Sequence, residues 1–149
     1  MKIATWNVNS VNARLPTVLE VLKTCDADVW CLQEIKCVDE KFPREELEAL
    51  GFNCTVFGQK TYNGVAILSK FPVSDEVRHL PGEPEDEQSR YLEVLVETPR
   101  PVRVASVYLP NGNPRPSDKY DYKLRWMDRL NNRAKALLDN EEPVVLAGD

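Results

Sequence analysis

The chain has 149 residues, enough for one domain with a hydrophobic core. Hydrophobic residues make up 42% of it and charged residues 29%, and no apolar run approaches membrane-spanning length, so we expect no membrane partner. The first residues show no apolar signal-peptide region, which predicts a cytoplasmic protein. The net charge of −5 argues mildly against nonspecific coating of nucleic acid but allows a local basic groove.

The metal-binding and disulfide signals of cysteine and histidine are weak. The four cysteines form no C-x-x-C pair, and His79 is the single histidine. Neither a zinc site nor a disulfide framework is therefore indicated, and free thiols are expected. His79 falls in a strand-and-turn region, where a structural or exposed role is the simpler interpretation.

The first predicted elements alternate strand, helix and strand. Residues 2–7 are predicted to form a strand, and residues 28–32 form a short, continuously apolar run typical of a strand buried on both faces. A short helix is predicted at 43–50, ending at Gly51. The helix between the two strands has apolar residues at helical spacing, namely Leu15, Val18, Leu19 and Leu22.

The rest of the chain predicts a run of strands, one long helix and a final strand. The long helix covers about 117–140, with Ser117 or Asp118 as its cap, and the final strand at 143–147 is predicted to be buried. Five strand-like runs precede them, at 52–57, 64–69, 74–80, 91–97 and 102–108. The predicted buried face of the long helix consists of Leu124, Met127, Leu130, Ala134, Leu137 and Leu138.

Polar side chains follow four of the predicted strands. Asn7, Glu34, Tyr108 and Asp149 each stand where an apolar run ends. Because α/β folds collect functional groups at the carboxyl ends of their strands, we expect these four side chains to form one active site.

The residue types at these strand ends favour a hard divalent cation. Carboxylate and amide oxygens of Glu34, Asp149 and Asn7 suit Mg²⁺ or Mn²⁺. Mg²⁺ commonly shares its remaining positions with water and substrate phosphate, which points to phosphoryl chemistry. Tyr108 and Asn111 offer groups that hold a phosphate or an attacking water.

Each of these residues taken alone has a simpler interpretation. Glu34 is then a solvated surface charge, Asn7 an Asx turn and Tyr108 a core or interfacial aromatic. Asn111 is then part of a turn, and Asp149 a helix cap. The functional interpretation rests on their joint occurrence at strand ends.

The sequence resembles the exonuclease III family, the bacterial apurinic/apyrimidinic endonuclease branch of the endonuclease/exonuclease/phosphatase superfamily. The most specific blocks are Gln-Glu-Ile-Lys at 33–36 and Tyr-Leu-Pro-Asn-Gly at 108–112. The resemblance covers all 149 residues. Its motifs lie at 5–10, 27–36, 62–69, 107–112 and 146–149.

The resemblance implies an α/β fold of the DNase I-like type: a four-layer sandwich of two packed mixed β-sheets flanked by helices. Residues 1–149 would be the N-terminal part of a single catalytic domain, incomplete at its C-terminus. The family motif Gly-Asp-x-Asn is present only as Gly148-Asp149, and the later Asp and His residues of the family site are missing. We therefore expect this piece alone to be inactive and poorly stable. The complete protein is expected to be a monomer.

The resemblance also implies roles for individual residues. Glu34 would be the principal Mg²⁺ ligand, with Asn7 beside it in the metal and phosphate shell. Tyr108 would bind the scissile phosphate or stabilise the leaving group, and Asp149, near the metal, would orient and deprotonate the attacking water. Substrate phosphates would be contacted by Lys36, Asn111 and Arg90.

The implied activity is cleavage of duplex DNA on the 5′ side of abasic sites, together with trimming at recessed 3′ ends. Three departures from the family pattern, at Asn9, Asn12 and Trp30, affect the expected detail of DNA contact rather than the reaction. Two alternatives stay open. One is another phosphoesterase on the same fold, acting on inositol phosphates, sphingomyelin or RNA tails; the other is a non-catalytic, RNA-associated regulator.

Overall fold

The computed structural model describes residues 1–149 and contains eight β-strands and three α-helices, with a short 3₁₀ turn at Asp39–Lys41. The helices are α1 (Leu15–Thr24), α2 (Arg44–Glu48) and α3 (Asp118–Asp139). The strands are β1 (Ile3–Asn7), β2 (Val29–Gln33), β3 (Asn53–Phe57), β4 (Val65–Ser69), β5 (Val73–Arg78), β6 (Tyr91–Val96), β7 (Val102–Val107) and β8 (Val144–Gly148). None of the helices is both long enough and apolar enough to cross a bilayer.

The strands form two mixed sheets of four strands each. The first sheet has the order β1-β2-β4-β3, in which β1 and β2 are parallel and the other pairs antiparallel. The second has the order β5-β6-β7-β8, in which only β7 and β8 are parallel. Each sheet thus carries one parallel pair, and these two pairs end in the four predicted site residues.

Alternation of side chains along each strand separates two apolar layers of the first sheet. Val29 and Cys31 of β2 belong to the cluster packed between the sheets, whereas Trp30 and Leu32 belong to the cluster that also contains Val18 and other residues of α1. All five residues of β2 are buried. The continuous apolar run at 28–32 therefore reflects burial on both faces, as predicted.

The second sheet is arranged in the same way. Leu92 and Val104 point towards the first sheet, and Tyr91 and Ala105 point outwards against Trp126 of α3. The layers therefore run α1, first sheet, second sheet, α3. The predicted four-layer α/β sandwich is confirmed.

The predicted helix boundaries hold to within a few residues. Helix α2 is shorter than the predicted 43–50, because the chain turns at Ala49 and reaches a left-handed conformation at Gly51. Ser117 is the N-cap of α3, since its hydroxyl accepts a hydrogen bond from the backbone N–H of Tyr120 at 3.3 Å.

The predicted apolar face of α3 is only partly correct. Leu124, Met127 and Leu138 are exposed by 43%, 39% and 68%, whereas Trp126 and Arg129 are buried. The helix packs through a face that includes arginines, because the second sheet and the loop before β6 supply carboxylates for them to pair with. An apolar-only pattern does not reveal such a face.

The prediction that the final strand is buried is wrong. None of the residues of β8 is buried, and Leu146 is 38% exposed. The reason is its position at the edge of the second sheet, where it pairs with β7 alone.

A buried carboxylate ties α3 to the second sheet. Glu93 of β6 has no exposed surface, and its Oε2 lies 2.7 Å from Arg133 Nη2 and 3.4 Å from Arg103 Nη1. The hydroxyl of Tyr91 also donates to Glu93. Burial raises the pKa of Glu93, but the hydrogen bonds from Arg133 and Tyr91 and the charges of the arginines outweigh it, so the pKa lies below the ordinary 4.5.

We predict that Glu93→Gln lowers the free energy of unfolding of the full-length protein by about 3 kcal/mol at neutral pH, because it removes the buried carboxylate that pairs with Arg133 and with Arg103. As pH falls through 4.5, the unfolded chain binds a proton at Glu93 before the folded chain does, so the wild type loses stability. Glu93→Gln cannot bind this proton and therefore lacks the part of the acid-induced loss of stability that comes from Glu93. Urea unfolding at pH 7 and below pH 4.5, beside the exposed Glu97→Gln, measures both effects; equal acid sensitivity in the two variants would contradict the prediction.

Candidate active site

The four polar residues predicted to meet do lie at one end of the sandwich. Asn7 is the last residue of β1 and is paired in register with Gln33, the residue before Glu34. On the second sheet Val107, before Tyr108, pairs with Gly148, before Asp149. The candidate site therefore takes two residues from each sheet.

The amide of Asn7 joins the two carboxylates. Its Nδ2 donates to Glu34 Oε2 and to Asp149 Oδ2, the latter at 2.7 Å. Its Oδ1 accepts from the backbone N–H of Asn9 at 3.0 Å, which is an Asx turn. The Asx-turn interpretation is therefore correct for Asn7, and the same side chain also contacts both carboxylates.

Lys36 lies inside this carboxylate cluster. Its Nζ is 3.4 Å from Glu34 Oε1 and 2.7 Å from Asn9 Oδ1, and its side chain is partly exposed. The ammonium group therefore neutralises part of the negative charge that the cluster gathers.

The backbone that carries Glu34 and Lys36 has an uncommon conformation. Both residues have positive φ, +54° and +53°, which is strained for residues with a Cβ. The neighbouring loop holds them in place, because the N–H of Ile35 donates to Gly64 O and that of Lys36 to Asn63 O. Gly64 itself has φ +87°, and a Cβ there would lie 2.6 Å from Ile35 Cγ1, so glycine is needed.

The environment of Glu34 favours its charged form. Burial raises the pKa of Glu34, but hydrogen bonds from Asn7, Tyr108 and Lys36 and the charge of Lys36 outweigh that effect and lower it overall. Glu34 is therefore a carboxylate at neutral pH.

The environment of Tyr108 favours its neutral form. Burial and the neighbouring charge of Glu34 raise the pKa of the Tyr108 phenol, against a smaller lowering by Arg90. The guanidinium of Arg90 lies over the Tyr108 ring, 4.9 Å from its centroid, and its Nη1 donates to Tyr108 O at 3.3 Å. Tyr108 is therefore a protonated hydrogen-bond donor held in a fixed orientation.

The three predicted DNA-binding residues fall into two places. Arg90 and Asn111 line one pocket of about 160 Å³, together with Gln88, Lys119 and Tyr122. Lys36 is instead part of the carboxylate cluster. His79 is in neither place, since it packs edge-on against Phe57 with ring centroids 4.5 Å apart.

The sequence analysis missed a buried polar layer beneath the site. Gln33 is 1% exposed and its amide bonds to Thr5 and Ser106, and Ser106 is also fully buried. The available signal was the occurrence of polar residues inside strands that are otherwise apolar.

The donor set fits a hard divalent cation. Glu34 and Asp149 approach the same amide group from opposite sheets, so their carboxylates converge on one small volume. Two carboxylates with an amide at hand match the sparse protein ligation typical of Mg²⁺, which keeps several positions for water and phosphate.

The layers and the strand-end cluster define an α/β sandwich protein with an acidic site shared between its sheets. Within that class the family is established by sequence: the family model for the Endonuclease/Exonuclease/phosphatase family matches residues 4–149, and the chain belongs to this family. The superfamily implied by the resemblance is thereby confirmed, and the exonuclease III branch is confirmed by the relatives that follow.

Curated relatives in this family include two bacterial enzymes. The chain is 32% identical to exodeoxyribonuclease III of Haemophilus influenzae and 34% identical to an exodeoxyribonuclease of Bacillus subtilis. All of the chain is aligned in both cases, but it spans only 57% and 58% of the length of these relatives.

Solved structures agree in fold. The 3′ phosphatase NExo from Neisseria, solved with a product DNA hairpin, superposes with a TM-score of 0.93 at 41% identity. An AP endonuclease from Archaeoglobus fulgidus superposes with a TM-score of 0.91 at 36% identity. The chain is covered completely in both, and 57% of each of those chains is matched.

We predict that Lys36→Met raises the pKa of Glu34 towards its ordinary 4.5, because it removes a hydrogen bond and a positive charge from the carboxylate. The methionine keeps most of the lysine stem. Carboxyl ¹³C NMR titration of the full-length protein without added metal measures the shift. The exposed Lys135→Met serves as the control, and an unchanged Glu34 titration in Lys36→Met would show that Lys36 does not act on this carboxylate.

Proposed function

We propose that the full-length protein is a divalent-metal-dependent DNA-repair nuclease of the exonuclease III type. It hydrolyses phosphodiesters on the 5′ side of abasic sites and at 3′ ends of duplex DNA. The observation that carries this proposal is the Asn7 amide that holds the carboxylates of Glu34 and Asp149 together across two sheets. Family membership and the exodeoxyribonucleases among the relatives support the choice of substrate.

Glu34 and Asp149, with Asn7, are the residues that hold the cation, which we propose to be Mg²⁺, with Mn²⁺ as a substitute. When bound, the cation supplies positive charge against the negative charge that builds on the phosphate oxygens. The Asn7 amide faces both carboxylates through its nitrogen, so its part in this set is to bridge them and fix their orientation.

Two residues of the cluster act on protons. Asp149 orients the attacking water and takes its proton, which is the role of a positioned general base. Tyr108 donates a hydrogen bond to a phosphate oxygen or to the leaving oxygen, because the phenol, whose pKa is raised above the ordinary 10, is protonated at neutral pH. Arg90 holds the Tyr108 ring by stacking on it.

Duplex DNA binds mainly through its phosphates in this proposal. The pocket shared by Arg90 and Asn111 offers a guanidinium and an amide for one phosphate next to the scissile bond. Lys36 reaches the scissile phosphate itself from within the carboxylate cluster. Binding is therefore sensitive to salt despite the overall negative charge.

The first test is nicking of a duplex that carries one abasic site. We predict Mg²⁺-dependent cleavage by the full-length protein that is abolished by chelator and falls at least about 10²-fold in Glu34→Ala, because that variant loses a carboxylate of the cation site. The exposed Glu20→Ala, on α1, is expected to cleave at the wild-type rate.

The outcomes separate the alternatives. Cleavage that persists in Glu34→Ala would contradict the assigned site, and a well-folded wild type without activity on abasic duplex or 3′ ends would contradict the nuclease proposal. In the latter case inositol phosphates, sphingomyelin and polyadenylated RNA are the next substrates, and RNA binding without cleavage identifies a regulator.

A second prediction concerns Arg90. Replacing it by alanine should weaken DNA binding and reduce the slope of log K against log salt by about 0.9, the value for one lost phosphate contact. Fluorescence anisotropy with chelator present measures binding without cleavage. Arg100→Ala, an exposed arginine at the other end of the second sheet, is the matched control, and an unchanged salt slope in Arg90→Ala would remove Arg90 from the DNA interface.

A further inference from the structure

A polar layer lies between the two sheets directly beneath the candidate site. It consists of Thr5, Gln33 and Ser106, which come from β1, β2 and β7. The rest of the contact between the sheets is apolar and is built from valine, leucine, isoleucine, cysteine and phenylalanine side chains. The polar layer is therefore an interruption of the core at one end only.

Two of the hydrogen bonds of this layer cross from one sheet to the other. Gln33 Nε2 lies 3.0 Å from Thr5 Oγ1, from Cys31 O and from Ser106 Oγ. Ser106 Oγ in turn donates to Leu32 O at 2.9 Å. Gln33 and Ser106 are thus joined to each other, and Ser106 is joined again to the backbone of β2.

Stability alone does not account for these residues. A buried amide and hydroxyl contribute little net stabilisation even when they are fully hydrogen-bonded, and apolar side chains of similar size pack at least as well between sheets. What hydrogen bonds add is direction, because each fixes a distance and an angle between the groups that it joins.

The layer is coupled to the site by the period of the strands. Side chains two residues apart share a face, so Thr5 lies below Asn7 and Ser106 below Tyr108, while Gln33 immediately precedes Glu34. Strand β7 also pairs with β8, which Asp149 directly follows, and the N–H of Asp149 donates to Val107 O at 3.0 Å. A cavity of about 200 Å³ is lined by residues of both levels, namely Thr5, Trp6, Asn7, Gln33, Gly148 and Asp149.

We propose that Gln33 and Ser106 are positioning residues that set the spacing between the two sheets at the end of the sandwich that carries the candidate site. They thereby hold Glu34, on the first sheet, at the correct distance from Asp149 and Tyr108, on the second. The proposal rests on the proposed function for its link to catalysis, but its link to the cation site is tested separately.

Three substitutions test this proposal in the full-length protein. Ser106→Ala removes both hydrogen bonds that join the sheets in this layer, and Gln33→Met removes the one between Gln33 and Ser106, each with little change in volume. Ser69→Ala is the matched control, because Ser69 is equally buried and its hydroxyl accepts a hydrogen bond from Phe71 N, at the opposite end of the first sheet. The measurements are kcat and KM on the abasic duplex, calorimetric titration with Mn²⁺ in the absence of DNA, and thermal unfolding.

We expect Ser106→Ala and Gln33→Met to lower kcat by about 10- to 100-fold and to weaken Mn²⁺ binding by about 10-fold, in the range typical of residues that orient metal ligands. KM for DNA should stay within about twofold, since the phosphate pocket at Arg90 lies outside the layer. The double variant should lose no more than the more severe single variant, because the bond between the sheets that Gln33→Met breaks is already broken in Ser106→Ala. Ser69→Ala should change thermal unfolding only.

The proposal is overturned if Ser106→Ala and Gln33→Met both keep wild-type kcat and Mn²⁺ affinity and are only less stable, as is expected of Ser69→Ala. Should the wild type bind Mn²⁺ but cleave no abasic duplex, the proposed function fails, and weaker Mn²⁺ binding in the variants still supports the positioning role. A wild type that neither binds Mn²⁺ nor cleaves DNA contradicts both proposals.

Discussion

The candidate site depends on contact between the two sheets, because each sheet carries only half of it. Asn7 and Glu34 end strands of the first sheet, and Tyr108 and Asp149 end strands of the second. The strands of the parallel pairs β1–β2 and β7–β8 all have their carboxyl ends at the same end of the sandwich. Any shift of one sheet against the other would change the distance between the carboxylates, so the geometry of the site depends on how precisely the sheets pack.

Electrostatics adds a second requirement, since two carboxylates that converge repel each other. The Asn7 amide donates to both of them, and Lys36 lies 3.4 Å from Glu34. These contacts keep the pKa of Glu34 low while the pKa of neighbouring Tyr108 is raised. Anion and protonated phenol thus stand side by side at neutral pH, which is the combination that a cation and a phosphate require.

Much of the fold and the strand-end cluster could be predicted from the sequence, because short apolar runs and the polar residues after them are local features. The burial of charged side chains could not be predicted, because it depends on partners that are distant in sequence. Arg133 of α3 pairs with Glu93, 40 residues away, and Arg129 pairs with Asp86. The edge position of β8 and the pairing of Gln33 with Ser106 likewise follow from topology. A local pattern assigns a residue to an element; its neighbours in space come from the arrangement of the elements.

The two ends of the sandwich serve different purposes. Away from the site the sheets are joined by apolar side chains such as Val29 and Val94, whose packing is stabilising but weakly directional. At the site end, positive φ at Glu34 opposes stability, and the buried, hydrogen-bonded amide of Gln33 adds little to it. Such features persist only where the surrounding structure supports them, and here that support is the apolar half of the same interface. The polar layer lies between the apolar half of the interface and the site. Through it, the positions of the two sheets determine the positions of the carboxylates.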